Sequence, residues 1–250
     1  MALPSTLNRL TLLWLLLFTV WGRAQSQSGV YGVFVGVSKY RRSENNLKYC
    51  HTDAVEMLET FKLRTPASRL RLLTNEQATR ANIIKTAEAL FSQAKPEDMV
   101  VFFFSGHGNP GVFHAHDQAL YLKELQAIFK KARARRKIIF ADSCFSGSFR
   151  TSSRRQTASD RPDLGKNVMF FLSSRSDQMS LEAGPLRNGL FTYCLTEGLK
   201  GGADANRDKK ITAVELFNYV NPRVKNSTGG RQVPVMWGRF DKGMVLLNVG

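Results

Sequence analysis

The sequence predicts an α/β protein: a three-layer sandwich in which helices cover both faces of a mostly parallel sheet. From Gly29 onward, short runs of β-branched and aromatic residues alternate with amphipathic stretches of helical period. The run at 99–104, MVVFFF, is apolar at every position, which is typical of a strand covered on both faces. The 250 residues, 43% hydrophobic and 22% charged, suit one substantial globular domain. Strand–helix alternation of this kind favours the parallel sheet.

The individual elements follow from the same periodicities. Apolar runs predict strands at 29–37, 69–73, 99–104, 137–141 and 168–174. Amphipathic stretches predict helices at 51–62, 78–94, within 120–132, at 190–199 and from about Thr212. Thr79 is placed to cap the second helix. Two short strands around 233–236 and 244–247 complete the prediction.

The first 24 residues differ in character from the rest of the chain. A short basic leader, MALPSTLNR, precedes the apolar run LTLLWLLLFTVWG, and small residues follow up to Ala24. This layout predicts a secretory signal peptide at 1–24, an exported protein, periplasmic or secreted, and a mature domain over 25–250. An uncleaved membrane anchor is the alternative. Cleavage is favoured because the apolar run is shorter than the roughly 20 residues of a spanning helix, and we expect no membrane span in the mature form.

The net charge of +16 favours adhesion to anionic surfaces but does not by itself indicate nucleic-acid binding. Most basic residues are scattered, and the cluster KKARARRK at 130–137 ends an amphipathic helix, where cations suit the helix dipole. Stacking aromatic residues do not accompany these bases, so we expect no specific nucleic-acid partner.

Two motifs follow apolar strands and carry the chemistry. His107 lies in SGHG after the third strand, and Cys144 lies in DSCFSG after the fourth. Because the carboxyl ends of parallel strands meet at one edge of a sheet, the imidazole and the thiol are expected to lie close together. A histidine can take the proton of a thiol and later protonate a leaving amine. The backbone N–H groups of Gly108 and Cys144 are the candidate oxyanion donors.

The motifs S-G-H-G and D-S-C-x-S-G together resemble those of the caspase-type cysteine peptidases, in the metacaspase and bacterial caspase-like branch. NLKYCHTDAVEM at 46–57 is similar to the first-helix segment of that family, and the resemblance extends from about Gly29 to the C-terminus. It implies a caspase-haemoglobinase type of α/β/α sandwich with a Cys–His dyad. Protein or peptide substrates are the implied partners.

The resemblance also implies a substrate pocket. Asp53 and Asp142 match the two carboxylates that line the first specificity pocket of metacaspase-like enzymes and select Arg or Lys before the cut. Carboxylates are suitable partners for a guanidinium or an ammonium group. The alternatives are structural: Asp53 as an acid favoured by the dipole at a helix N-terminus, and Asp142 as an acceptor for loop N–H groups.

The segment 149–166, FRTSSRRQTASDRPDLGK, is polar and basic and predicts a mobile loop. It stands where related enzymes are often clipped. Self-processing after one of its arginines is therefore one hypothesis, and a solvated loop without a function is the other. The candidate arginines are Arg150, Arg154, Arg155 and Arg161.

A second loop, 204–215, has the spacing of a degenerate EF-hand. Oxygen-bearing residues occupy its ligand positions, namely Asp204, Asn206, Asp208, Lys210 (through its carbonyl), Thr212 and Glu215. Lys209 stands where such loops have glycine, and the neighbouring lysine charges oppose a cation. Calcium is thus a candidate ligand, and a turn that caps the following helix is the alternative. The remaining cysteines and histidines are predicted to be structural: Cys50, Cys194, His51, His114 and His116.

These observations predict a cysteine endopeptidase that needs no cofactor for its chemistry and cleaves after Arg or Lys. A catalytically silent caspase-like module that binds partner proteins is the first alternative. A structural or calcium-responsive envelope protein, in which loop 204–215 is the working part, is the second.

Overall fold

The computed structural model describes residues 28–109, 111–143, 167–173 and 188–250. Its strands are β1 (Val30–Gly36), β2 (Leu70–Thr74), β3 (Met99–Ser105), β4 (Gly108–Asn109), β5 (Val112–His114), β6 (Ala119–Tyr121), β7 (Arg136–Asp142), β8 (Val168–Leu172), β9 (Lys210–Thr212), β10 (Val235–Arg239) and β11 (Val245–Asn248). Its helices are α1 (Cys50–Lys62), α2 (Arg80–Phe91), α3 (Leu122–Lys131), α4 (Leu190–Glu197) and α5 (Ala213–Ser227).

Six strands form the central sheet in the order β10-β8-β7-β3-β1-β2. All neighbours are parallel except β10, which runs antiparallel to β8. The chain passes from β1 to β2 on one side and then returns to β3 on the other side of β1. The strand order therefore reverses between β1 and β3, and in sheets of this kind ligands bind beyond the carboxyl ends of the strands at such a point.

Helices cover both faces of the sheet, as alternate strand residues show. On β3, Phe102 and Phe104 pack with α2 and α3 in one cluster of buried side chains. Val101 and Phe103 belong to a second cluster, which includes residues of α1, α4 and α5. All seven residues of β3 are buried, because in a strand successive side chains point to opposite faces and both faces are covered. The predicted three-layer α/β/α sandwich is confirmed.

Most predicted elements are present, with small differences in their ends. Thr79 caps α2, since its hydroxyl accepts a hydrogen bond from the N–H of Asn82. Two features were not predicted: a three-stranded sheet of β4, β5 and β6, and the pairing of β9 with β11. Strands of two to four residues are too short to show the alternation on which such a prediction rests.

Three predicted features lie outside the described residues: the signal peptide at 1–24, Cys144 and the loop at 149–166. In the described ranges, no helix has both the length and the apolar character needed to cross a bilayer.

Candidate active site at the carboxyl edge of the sheet

The candidate site lies where β1, β3 and β7 end. The loop after β1 contains Tyr40 and a short 3₁₀ turn, Ser43–Asn45. His107 follows β3, and β7 ends at Asp142. Because β3 pairs with β1 on one side and with β7 on the other, these three segments leave the sheet side by side.

Contacts from the loop after β1 hold the imidazole of His107. Its Nε2 lies 2.9 Å from the carbonyl oxygen of Asn45. A carbonyl can only accept, so Nε2 carries the hydrogen and donates it. In the neutral ring Nδ1 is then the nitrogen with the free electron pair. The N–H of His107 donates to the hydroxyl of Tyr40 at 2.8 Å, and the two rings pack with centroids 5.0 Å apart.

Beyond His107 the chain forms the β4–β5 hairpin, in which Gly108 is paired with Phe113. The N–H of His114 donates to the carbonyl of His107 at 2.9 Å, while the His107 N–H donates to Tyr40. Residues 107 and 114 thus occupy a hydrogen-bonding position of the ladder with one of its two bonds. Bonded and non-bonded pairs alternate in an antiparallel ladder. Gly108 therefore belongs to a non-bonded pair, and the ladder directs its N–H away from β5, as the predicted oxyanion donor requires.

Ser143, the residue before Cys144, packs against this hairpin. A Cβ built on Gly108 would lie 3.0 Å from the Ser143 Oγ and 3.2 Å from its Cβ. The chain that leads to Cys144 thus reaches the residue that follows His107. Cys144 itself lies outside the described residues, so the Cys–His dyad stays a prediction.

Two buried carboxylates lie beside this edge. Asp53, on α1, accepts hydrogen bonds from the Ser105 hydroxyl at 2.7 Å and from the Gly189 N–H at 2.8 Å. Asp142 accepts from the hydroxyls of Ser173, at 2.9 Å, and Thr192, at 2.8 Å.

Both carboxylates are fully buried, and Ser105 lies next to both residues. Ser105 donates to Asp53 and is also the register partner of Asp142 across β3 and β7. The two acids predicted to line one pocket therefore occupy the same corner of the fold. Their hydroxyl and amide donors also agree with the structural alternative, so the pocket stays a prediction.

The remaining histidines have structural contacts. His51 Nδ1 lies 2.8 Å from the Ser38 hydroxyl, and His116 Nδ1 lies 2.8 Å from a backbone carbonyl. His114 Nε2 lies 3.0 Å from the side-chain nitrogen of Asn109. Burial lowers the pKa of His114, and the neighbouring His107 acts in the same direction.

Cys50 and Cys194 are buried on α1 and α4. Burial raises the pKa of the Cys194 thiol to about 11, so this sulfur stays protonated near neutral pH. Both positions agree with the predicted structural role.

Loop 204–215 satisfies its acidic side chains with its own donors. Asp204 accepts from the N–H groups of Asp208 and Lys209 at 3.1 and 3.0 Å. The Glu215 carboxylate accepts from the N–H and hydroxyl of Thr212, which closes a capping box at the start of α5. Across the described ranges, no three His, Cys, Asp or Glu side chains are grouped so as to hold a metal ion. The oxygen ligands suit calcium in type, but Glu215 faces its own helix; calcium binding stays a prediction.

Several site residues were not identified from the sequence. Tyr40 and Asn45 lie in an irregular loop, and Asn45 acts through its backbone carbonyl, which any residue type supplies. Ser105 stands next to the recognised Gly-His-Gly, and its position in that motif is a signal that could have identified it. Thr192 lies in a helix and shows no pattern of its own.

Comparisons with known proteins identify the relatives of this chain. The family model described as the caspase domain (peptidase C14) matches residues 31–243. Metacaspase-2 of Arabidopsis thaliana is 38% identical over 85 residues, which are 31% of this chain and 20% of that protein. Inactive metacaspase-4 of Trypanosoma brucei brucei is 32% identical over 93 residues, 34% of this chain and 26% of that one. The chain thus matches about a quarter or less of the length of these two relatives.

Solved structures support the fold. Caspase-1 of Spodoptera frugiperda superposes with a TM-score of 0.62 at 16% identity, covering 86% of this chain and 88% of that one. A Geobacter sulfurreducens protein gives 0.63 at 18% identity, covering 84% and 92%. Since the family match spans most of the sequence, the chain belongs to the caspase-domain family of cysteine peptidases.

Proposed function

We propose that the protein is a cysteine endopeptidase with Cys144 as nucleophile and His107 as its acid–base partner, and that it cleaves after Arg or Lys. One observation carries the proposal. His107 Nε2 is hydrogen-bonded to the carbonyl of Asn45, which leaves Nδ1 as the base of an imidazole on the edge where the chain approaches residue 144.

The reaction follows from this tautomer. His107 Nδ1 takes the thiol proton of Cys144, and the thiolate attacks the carbonyl carbon of the scissile bond. The N–H groups of Gly108 and Cys144 donate to the oxyanion that forms. The imidazolium then gives its proton to the leaving amine, which leaves a thioester. Water, deprotonated by the same imidazole, hydrolyses the thioester and restores the thiol.

Asn45 has a defined part in these steps. When His107 becomes an imidazolium, the hydrogen bond from Nε2 to the Asn45 carbonyl becomes charge-assisted and therefore stronger. The carbonyl thus stabilises the protonated ring without competing for the proton on Nδ1.

The preference for a basic residue before the cut rests on Asp53 and Asp142. Ser105 donates to Asp53 and is the register partner of Asp142, so the two carboxylates lie at one corner of a chain whose net charge is +16. A guanidinium or ammonium group is the complementary ligand.

A panel of fluorogenic peptides tests this proposal. Peptides with Arg, Lys, Asp or Leu before the cut are incubated with the wild type and with the Cys144→Ala and His107→Ala variants. We expect cleavage after Arg and Lys, with loss of activity in both variants. Preference for Asp would refute the pocket assignment while leaving the dyad intact, and undiminished cleavage by Cys144→Ala would refute the dyad.

A catalytically silent binding module is the second candidate, because one relative is named an inactive metacaspase. Iodoacetamide labelling at neutral pH separates the two. A dyad predicts fast labelling of Cys144 that falls sharply in His107→Ala. Cys194 serves as the internal control, since its raised pKa keeps it slow in the folded protein. Equal labelling of Cys144 in wild type and variant would favour the silent module.

Two further proposals concern segments outside the described residues. Export predicts a mature N-terminus at Gln25, which mass spectrometry of the expressed protein would identify; an intact leader would contradict it. Self-processing predicts a cut after an arginine within 149–166. Equal nicking of wild type and Cys144→Ala, each expressed alone, would exclude it.

A further inference from the structure

Tyr40, in the loop after β1, contacts His107 in two ways. Its hydroxyl accepts the backbone N–H of His107 at 2.8 Å. Its ring also packs against the imidazole, with centroids 5.0 Å apart and planes inclined by 40°. One contact fixes the backbone from which the imidazole projects, and the other limits the rotation of the ring. Tyr40 therefore restrains both ends of the His107 side chain.

The same loop is tied to the carbonyl that accepts from His107. The N–H of Tyr40 donates to the Asn46 side-chain oxygen at 2.8 Å, and the Leu47 N–H donates to the Ser38 carbonyl at 2.8 Å. These bonds close the loop around the turn that ends at Asn45. Tyr40 and the Asn45 carbonyl are thus parts of one braced segment, so displacing Tyr40 would also displace the partner of His107 Nε2.

The Tyr40 side chain lies close to the backbone of Gly106. A Cβ built on Gly106 would lie 2.8 Å from the Tyr40 hydroxyl oxygen. A side chain at position 106 would therefore push Tyr40 away from His107. Gly106 permits the contact that Tyr40 makes, which gives this glycine a role beyond that of a turn residue.

We infer that Tyr40 is a positioning residue that orients the imidazole of His107 for proton transfer, with Asn46 as its support. The inference rests on the proposed peptidase function, because the orientation has a kinetic effect only if His107 moves a proton. Tyr40 acts through His107, so its loss should lower kcat and leave KM nearly unchanged.

Kinetics of three variants test the kinetic part. Tyr40→Phe removes the hydroxyl and keeps the ring, and Tyr40→Leu removes both. Tyr121→Phe is the matched control, because Tyr121 is exposed and its ring faces Lys123 rather than the site. We expect kcat to fall about tenfold in Tyr40→Phe and further in Tyr40→Leu, with KM within about twofold. A kcat in Tyr40→Phe equal to that of Tyr121→Phe would overturn the inference.

Nitrogen NMR of the histidine side chains gives a readout that does not need activity. In the wild type, His107 should show the Nε2–H tautomer. In Tyr40→Phe we expect a mixture of tautomers and a more mobile ring in a protein that is still folded. An unchanged His107 spectrum would overturn the inference. An altered spectrum in a protein whose wild type cleaves nothing would uphold the role of Tyr40 and refute the peptidase proposal.

Asn46→Ala provides the second variant should Tyr40→Leu fail to fold. It leaves both Tyr40 contacts with His107 chemically intact and removes only the acceptor for the Tyr40 N–H. We expect a smaller change of the same kind in the His107 spectrum; a spectrum identical to that of the wild type would refute the supporting role of Asn46.

Discussion

Asp53 and Asp142 form a buried acidic corner of the fold, and the hydrogen bond from Thr192 to Asp142 permits a quantitative test of how this acidic corner is held in place. Thr192, on α4, is fully buried, and its hydroxyl donates to the Asp142 carboxylate at 2.8 Å. Thr192→Val replaces the hydroxyl by a methyl group of similar size. A buried hydrogen bond to a charged group contributes about 1.5–3 kcal/mol. Since the Ser173 hydroxyl still donates to Asp142, we expect a loss of about 2 kcal/mol.

Thr196→Val is the matched control one turn further along α4. Thr196 is 1% exposed, and its hydroxyl donates to the backbone carbonyl of Tyr193 at 3.0 Å. Because that carbonyl is uncharged, loss of the hydrogen bond should lower the free energy of unfolding by about 1 kcal/mol or less. Urea unfolding followed by circular dichroism gives both free energies of unfolding. For a domain of this size, 2 kcal/mol corresponds to a melting temperature lower by about 4–8 °C.

The comparison has a clear refuting result. If Thr192→Val and Thr196→Val lower the free energy of unfolding equally, the carboxylate at Asp142 gains nothing special from the Thr192 hydroxyl. The reasoning that assigns Thr192 to the acidic corner would then be wrong.

Three further predictions concern other parts of the fold. Because burial lowers the pKa of His114, the unfolded chain binds a proton at this position more readily, and stability should fall as the pH drops below about 6.5. Unfolding of the wild type and of His114→Gln at pH 7.5 and 5.5 measures this effect. The variant should lose less stability than the wild type between the two pH values. An equal loss of stability would contradict the lowered pKa of His114. In Gly36→Ala the new Cβ would clash with the Cys50 carbonyl oxygen, so α1 must move. We expect the free energy of unfolding in urea to fall by about 1–3 kcal/mol. Unchanged stability would show that α1 can shift without cost. Lys209 adopts a positive φ of 63°, so Lys209→Gly removes both backbone strain and a cation beside Asp208. Calorimetry should then detect tighter calcium binding by the variant than by the wild type. The absence of calcium binding in both proteins would refute the calcium loop.

The strands of the central sheet could be predicted because a strand buried on both faces is a continuous run of apolar residues in the sequence. In β3, seven consecutive buried residues leave little room for another interpretation. The start of α2 was predictable for a local reason, since Thr79 offers its hydroxyl within one turn. The β4–β5 hairpin was not predictable, because its strands are two and three residues long. Its position also depends on His107, which contacts Tyr40 and Asn45 in a distant part of the sequence.

The candidate site also contains both residues that the sequence predicts and residues that it does not. His107 stands in a recognisable motif because the proposed acid–base chemistry needs an imidazole. Asn45 contributes a carbonyl oxygen, and Tyr40 contributes a position relative to β3. Neither contribution corresponds to a recognisable motif in the sequence. Such residues become visible only when the topology brings the loop after β1 next to the end of β3.

The acidic corner has a consequence for synthesis of the chain. Asp53 is bonded to Gly189, 136 positions later, and Asp142 to Thr192, 50 positions later. A nascent chain that stops short of α4 contains His107 and the proposed nucleophile Cys144 but lacks two of the groups that hold the acids in place. On the proposed function, specific cleavage should therefore begin only after most of the domain has left the ribosome, so that neighbouring nascent chains would be spared.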